Sequence, residues 1–402
     1  MPIWDLLPRK MMRSDQKGRG NMANLERFGH GGDLLTASEL FAIDQDEWID
    51  FSSNIYPYGP PEIVKEVIQE VIEEREMPVL SRYPDPACRR LKQAIARFHQ
   101  ISADMVLPGN GAAELIDLLI QSFRPSRVGV VDPSFVEYRQ CAAKRNIPVD
   151  HLVTNWEQQF LPSMEEMDRM LRRVDLLFIG YPNNPTGHLY DAGRMLEWLR
   201  RAGRYQTILV VDEAFMDFVE PEEDRSLISW VKAHPQLIVV RSMTKFFSLP
   251  GLRLGYLVAD EAVISRIQAL QVPWSVNGLA QAIGCAVLRD EVYRPHARKV
   301  SEWLETERET MIRELNRLDG FQVFPGVANY LLVRMSVNGK AVSDLQFDLA
   351  RKGLLIRSCS NYEGLEDDCF RIAVRKPEQN LLFRQALEEW SRKEGGISWA
   401  SS

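Results

Sequence analysis

The stretch RSMTKFFSLPGLRLGY, residues 241–256, decides how this chain is read. It follows LIVV (237–240), an apolar run of the kind that forms a buried strand. A buried strand ordinarily hands over to a plain turn. This one delivers Ser242, Thr244 and Lys245, with Arg253 a little further on. Two hydroxyls, an ammonium and a guanidinium at the end of one strand call for an anionic or carbonyl partner.

Similar runs lie upstream. RVGVVDP, VDLLFIGYP and TILVVDEAF are apolar at successive positions, as strands covered on both faces are. Helical patterns such as AAELIDLLIQSF, SMEEMDRMLRRV and AGRMLEWLRRAGRY separate them. This alternation predicts an α/β domain with a mostly parallel sheet. After residue 290 the texture changes to a long amphipathic helix, short strands and a last helix near 378–394, which predicts a smaller α+β domain. We expect a large domain over 61–289 and a small one over 29–60 and 290–402. Residues 1–28 read as a polar extension.

Ligands of open α/β sheets bind at the carboxyl ends of the strands. Collected there are NNPTG (183–187), Asp212 in DEAF, the Ser242–Lys245 cluster, and a glycine turn, GNGAAE, opening a helix. Each alone reads as ordinary: a turn, an N-cap aspartate, a solvated lysine. Their joint occurrence on successive strands matches the needs of pyridoxal 5'-phosphate, which takes a lysine amine, a carboxylate facing its ring nitrogen and a phosphate cup. Lys245 supplies the amine for the cofactor's aldehyde and Asp212 the carboxylate. Asn110, Gly111 and Ala112 open a helix whose N–H groups suit a phosphate. Ser242 and a bidentate Arg253 complete that cup.

With these residues in place, the chain resembles the fold-type I pyridoxal-phosphate enzymes of the class I/II aminotransferase superfamily over roughly residues 50–375. The resemblance implies a seven-stranded-type sheet in the large domain. It implies that Asn184 bonds the cofactor's ring oxygen and that Phe135, in DPSFVEY, stacks on the ring. It also implies that Tyr83, in SRYPDP, reaches the phosphate of a neighbouring subunit, hence a homodimer with shared sites. Members of this group usually carry Tyr where this chain has Phe215, so routine transamination is not the expectation.

Within the superfamily, HGGD (30–33), DFSSNIYPYG (50–59), VPWSVNGLAQ (272–281) and IRSCSNYEGLEDDCFRIAVR (356–375) resemble the threonine-phosphate decarboxylases of cobalamin biosynthesis. That resemblance implies decarboxylation of O-phospho-L-threonine to (R)-1-amino-2-propanol phosphate. Arg371 would take the substrate carboxylate. Arg357, with His30, Gly31 and Asn54, would take the phosphate or another polar edge, and Asn184 would also face the substrate. Histidinol-phosphate aminotransferases share the general pattern, and O-phospho-L-serine lacks only one methyl; both stay open as alternatives.

The totals exclude several other classes. Net charge is −7, which disfavours a nucleic-acid or anionic-membrane surface as partner. Five scattered cysteines without a CxxC read as free thiols, with no metal site. No apolar run approaches the roughly 20 residues of a membrane span, and the first residues lack a signal-peptide core. The expectation is a cytoplasmic protein.

Overall fold

The computed structural model describes residues 31–337 and 339–394. His30 and the proposed extension 1–28 lie outside the described residues. The first strand, β1 (Ile49–Asp50), pairs in parallel with residues 354–355, so the chain near residue 50 is tied to its far end.

A seven-stranded sheet follows, made of β2 (Val106–Gly109), β3 (Val128–Asp132), β4 (Val149–Val153), β5 (Leu176–Gly180), β6 (Ile208–Asp212), β7 (Leu237–Ser242) and β8 (Gly255–Val258). Their order is β2-β8-β7-β6-β5-β3-β4. Pairing is parallel from β4 to β7, and β8 runs antiparallel to both neighbours. The sheet is therefore mixed, with one reversed strand in a mostly parallel frame.

Successive side chains on a strand point to opposite faces. Leu177, Ile179, Leu209, Val211, Leu237 and Val239 join one core. Phe178, Val210, Ile238 and Val240 join a second core on the other face. Helices cover both faces, which is why these strands read as unbroken apolar runs. β4, at the edge, is only partly buried.

A smaller antiparallel sheet holds β9 (Phe321–Val323), β10 (Tyr330–Met335), β12 (Arg357–Ser358) and β13 (Cys369–Ala373), in the order β12-β13-β10-β9. Residues 354–355, the partner of β1, form β11 (Leu354–Leu355). The helix Asp290–Leu315 begins ten residues before the amphipathic run at 300 and carries Pro295 inside it.

Candidate active site

Five strands meet along one edge of the large sheet: the carboxyl ends of β5, β6, β7 and β2, and the start of β8. Asp212 is level with Gly180 of β5 and Val240 of β7. Ser242 is level with Gly255 of β8, which in turn faces Gly109 of β2. The helix Ala112–Phe123 starts just beyond β2, with Gly111 as its N-cap at φ 83°. A Cβ on Gly111 would lie 2.5 Å from Arg253 Nη2, and one on Gly255 would lie 2.8 Å from the Ala112 nitrogen. Gly111 is required by its positive φ and Gly255 by the close approach of backbone. They let the arginine and the helix start gather around Ser242, whose hydroxyl is 2.8 Å from that of Thr244. The arrangement is a cup of N–H and O–H groups with a positive end, suited to a phosphate.

Asp212 is buried and accepts hydrogen bonds from the Tyr138 hydroxyl at 2.7 Å and the Ala214 nitrogen at 3.0 Å. Burial pushes its carboxyl above the ordinary range; the two donors and the Lys245 charge oppose that shift. Lys245 is half-buried. Burial, then the positive charges of Arg371 and Arg253, push its amine down to about 8. A lysine held there has a substantial neutral fraction near neutral pH, which a nucleophile or proton carrier needs.

On the small sheet, Arg357 and Arg371 occupy directly opposite positions of antiparallel strands. Both are buried. Like charges so placed are destabilising unless something offsets them. The contacts of Arg371 are neutral: Nη1 donates to Asn184 Oδ1 at 2.5 Å and meets the Tyr362 hydroxyl at 3.4 Å, and Nη2 donates to the Ser52 carbonyl at 2.8 Å. Its Nε and the buried Asn54 Oδ1 have no hydrogen-bond partner among the described residues. Arg357 Nη2 donates to Asn361 Oδ1 at 2.8 Å. A negatively charged ligand would give Arg371 Nε an acceptor, while Asn54 Oδ1 calls for a donor.

The structure brings most of the expected residues together. Asn184 contacts Arg371, and Gly31 sits against Ser52, where a Cβ would be 2.3 Å from the carbonyl that Arg371 uses. The Tyr56 nitrogen donates to the Lys245 carbonyl at 3.1 Å, tying segment 50–58 to the lysine. Phe135 lies edge-on to Tyr138, the residue that holds Asp212. Asn110 opens the turn before the helix, its nitrogen donating to Glu114 Oε2 at 2.6 Å. Phe215 is buried against the Tyr330 ring at 4.8 Å, offering phenyl carbon where a hydroxyl donor was noted as missing. Tyr83 stands apart. It is 81% exposed and stacks on Trp274, so this chain does not place it over its own Lys245.

Sequence reasoning missed Tyr138, Tyr330 and the Asn361–Tyr362 pair. Tyr138 was findable: it stands three residues after Phe135, one helical turn on, in the motif already singled out. The residues fit pyridoxal 5'-phosphate. The glycine-lined cup, the half-buried lysine of lowered basicity and the buried carboxylate supply the three anchors that the cofactor needs.

Residues 46–387 match the family Aminotransferase class I and II. The chain is 36% identical over 363 residues to a threonine-phosphate decarboxylase of Salmonella typhimurium, covering 89% of this chain and 95% of that one. Among solved structures, the histidinol-phosphate aminotransferase of Clostridium acetobutylicum aligns with a TM-score of 0.78 and 30% identity, over 85% of this chain and 99% of that one. The L-threonine-O-3-phosphate decarboxylase of Porphyromonas gingivalis aligns with a TM-score of 0.73 and 27% identity, over 85% and 98%.

Proposed function

The chain belongs to the class I and II aminotransferase family, and from that premise we propose that it is a pyridoxal-phosphate-dependent decarboxylase of O-phospho-L-threonine, releasing carbon dioxide and (R)-1-amino-2-propanol phosphate. The observation that carries the proposal is the opposed pair Arg357 and Arg371, the second of which acts electrostatically on Lys245. Two buried guanidiniums suit a substrate with two anionic ends.

The cofactor, when bound, withdraws electrons from the bond broken at the substrate's α-carbon. Asp212, kept in place by Tyr138 and Ala214, holds the cofactor's ring nitrogen protonated. Asn110, Gly111, Ala112, Ser242 and Arg253 hold the cofactor phosphate. Asn184 and Phe135 fix the ring's edge and face. Arg371 binds the substrate carboxylate that departs as carbon dioxide, and Arg357, with Gly31, His30 and Asn54, holds the phosphate end. Lys245, in its ammonium form, would give the α-carbon the proton that takes the place of the departing carboxylate, leaving the amine neutral. Phe215 removes a hydroxyl that would face the ring oxygen, which supports decarboxylation over amino transfer.

The likeness to a histidinol-phosphate aminotransferase structure supports a second reading, amino transfer from a phosphate-bearing amine. The two part in one assay. With O-phospho-L-threonine alone, the decarboxylase reading predicts stoichiometric carbon dioxide. Faster consumption of 2-oxoglutarate with histidinol phosphate would replace it with the aminotransferase reading. O-phospho-L-serine in the same assay ranks the one-methyl alternative, which a pocket discriminates by only about 10–200-fold.

Assembly belongs to the same proposal. Tyr83, Trp274, Val272 and Leu80 are exposed apolar side chains, and Tyr83 and Trp274 stack on each other. A homodimer that covers them would bring Tyr83 to the partner's cofactor phosphate. Mixing Tyr83→Phe protein with Lys245→Ala protein should then restore activity. Heterodimers that form without recovery would argue against shared sites. No helix among the described residues is long and apolar enough to cross a membrane; we place the protein in the cytoplasm, with the large domain at 61–289 and the small one at 29–60 and 290–402.

A further inference from the structure

Arg139 lies on the helix Glu137–Ala143, which follows Phe135 and carries Tyr138, the partner of Asp212. Its Nη2 donates to the Asn361 carbonyl at 2.7 Å, across 222 residues of sequence. The side chain of that same Asn361 accepts from Arg357 Nη2 at 2.8 Å. The next residue, Tyr362, meets Arg371 through its hydroxyl at 3.4 Å, and its ring centroid is 5.7 Å from the Arg357 guanidinium carbon. Three arginines from three separate elements therefore close on one dipeptide.

Charge gives this convergence a meaning. A phosphate monoester carries about −1.5 to −2 near pH 7, and a carboxylate adds one more. Such a substrate brings close to three negative charges, and Arg139, Arg357 and Arg371 supply three positive ones. Arg139 bonds a neutral carbonyl and is half-buried; its charge also reaches the Asp132 carboxyl, whose oxygens are bonded to Ser134 and His151. Guanidinium donors recognise phosphate oxygens in pairs. We propose that Arg139 is a specificity-determining residue that binds the substrate phosphate together with Arg357 across Asn361, leaving Arg371 to the carboxylate. The proposal rests on the reading that the substrate carries both groups.

The test compares cofactor-loaded unmodified protein with Arg139→Gln and Arg139→Lys. Losing one charge-assisted contact to phosphate should raise KM for O-phospho-L-threonine roughly 10- to 100-fold, with kcat little changed. Inorganic phosphate should weaken as a competitor by a similar factor. Inhibition by L-threonine, which lacks the phosphate, should stay as it is. Arg139→Lys keeps the charge and should fall between the other two proteins; it carries the test if the glutamine variant unfolds early. An Arg139 that merely fixes the 361–362 loop would weaken L-threonine and O-phospho-L-threonine alike, and that result overturns the proposal, as does an unchanged KM. If unmodified protein fails to turn over O-phospho-L-threonine, the functional reading falls, and the inorganic phosphate comparison still judges Arg139: equal affinity in variant and unmodified protein rejects it.

Discussion

Arg241 and Arg371 are both withdrawn from water, 1% and 6% exposed, and they differ in what faces them. Arg241, on β7, is met by Glu213 at 3.0 Å, Asp217 at 2.9 Å and Glu222 at 2.7 Å. Arg371, on β13, is met by an amide oxygen, a backbone carbonyl and a hydroxyl. The first arginine is closed by the protein itself. It ties residues next to two site anchors, since Glu213 follows Asp212 and Ser242 follows Arg241. The second has only neutral groups as hydrogen-bond partners, which suits the anion-binding role proposed for it. Burial of a charge alone does not tell the two roles apart; the charge of the groups around it does.

The comparison breaks most visibly in stability. Arg241→Met leaves three buried carboxylates without their cation and should cost about 3–5 kcal/mol, read as a lowered urea midpoint of the cofactor-free protein. Arg371→Met strands no anion and leaves only the Asn184 and Ser52 oxygens without their donor, so its cost should be smaller, about 1–3 kcal/mol. Equal losses would make Arg371 a structural arginine like the other. A pH series sharpens the contrast. Burial pushes the Glu213 carboxyl from the ordinary 4.5 up to about 7, against the pull of Arg241. A raised carboxyl contributes stability that is present below about 4.5 and is lost as pH rises through about 7. In Arg241→Met, where the opposing charge is gone, that decline should continue to higher pH and grow in total.

A smaller effect should appear at Lys245, which feels Arg371 directly. Its amine reacts only when neutral, and it is pushed down to about 8. Cofactor uptake by the empty protein should therefore accelerate as pH rises and level off above about 8. In Arg371→Met one of the charges depressing the amine is absent, so the plateau should move to higher pH. A plateau that does not move would mean that Arg371 and Lys245 are electrically independent.

These roles differ in how far sequence could reveal them. Lys245, Asp212 and Ser242 end apolar strands buried on both faces, so a local pattern exposes them as misfits. Arg357 and Arg371 are visible as residues, but their facing each other depends on a register across the 359–368 connection that no local pattern specifies. Tyr138 and Asp212 are 74 residues apart, and their hydrogen bond follows from strand order. Arg139 and Asn361 are further apart still. The reversed direction of β8 was equally hidden, because an apolar strand reads the same in either direction. Half-exposed β4 lacked the unbroken apolar run that marked its neighbours. Tyr83 was legible as a motif, while its large exposure could come only from the folded chain.

The account turns on Arg371 and Arg357 as a two-part anion site built from directly opposed strand positions. The direct measurement is kcat/KM for O-phospho-L-threonine and for L-threonine in Arg357→Ala and Arg371→Ala, each loaded with cofactor. A hydrogen bond to a charged group is worth about 1.5–3 kcal/mol, so two of them from Arg357 to the phosphate should make the unmodified protein prefer the phosphorylated substrate by roughly two to four orders of magnitude. Arg357→Ala should erase most of that preference, and Arg371→Ala should lower both substrates together. A preference that survives in Arg357→Ala, or undiminished turnover of both substrates in Arg371→Ala, would contradict the account.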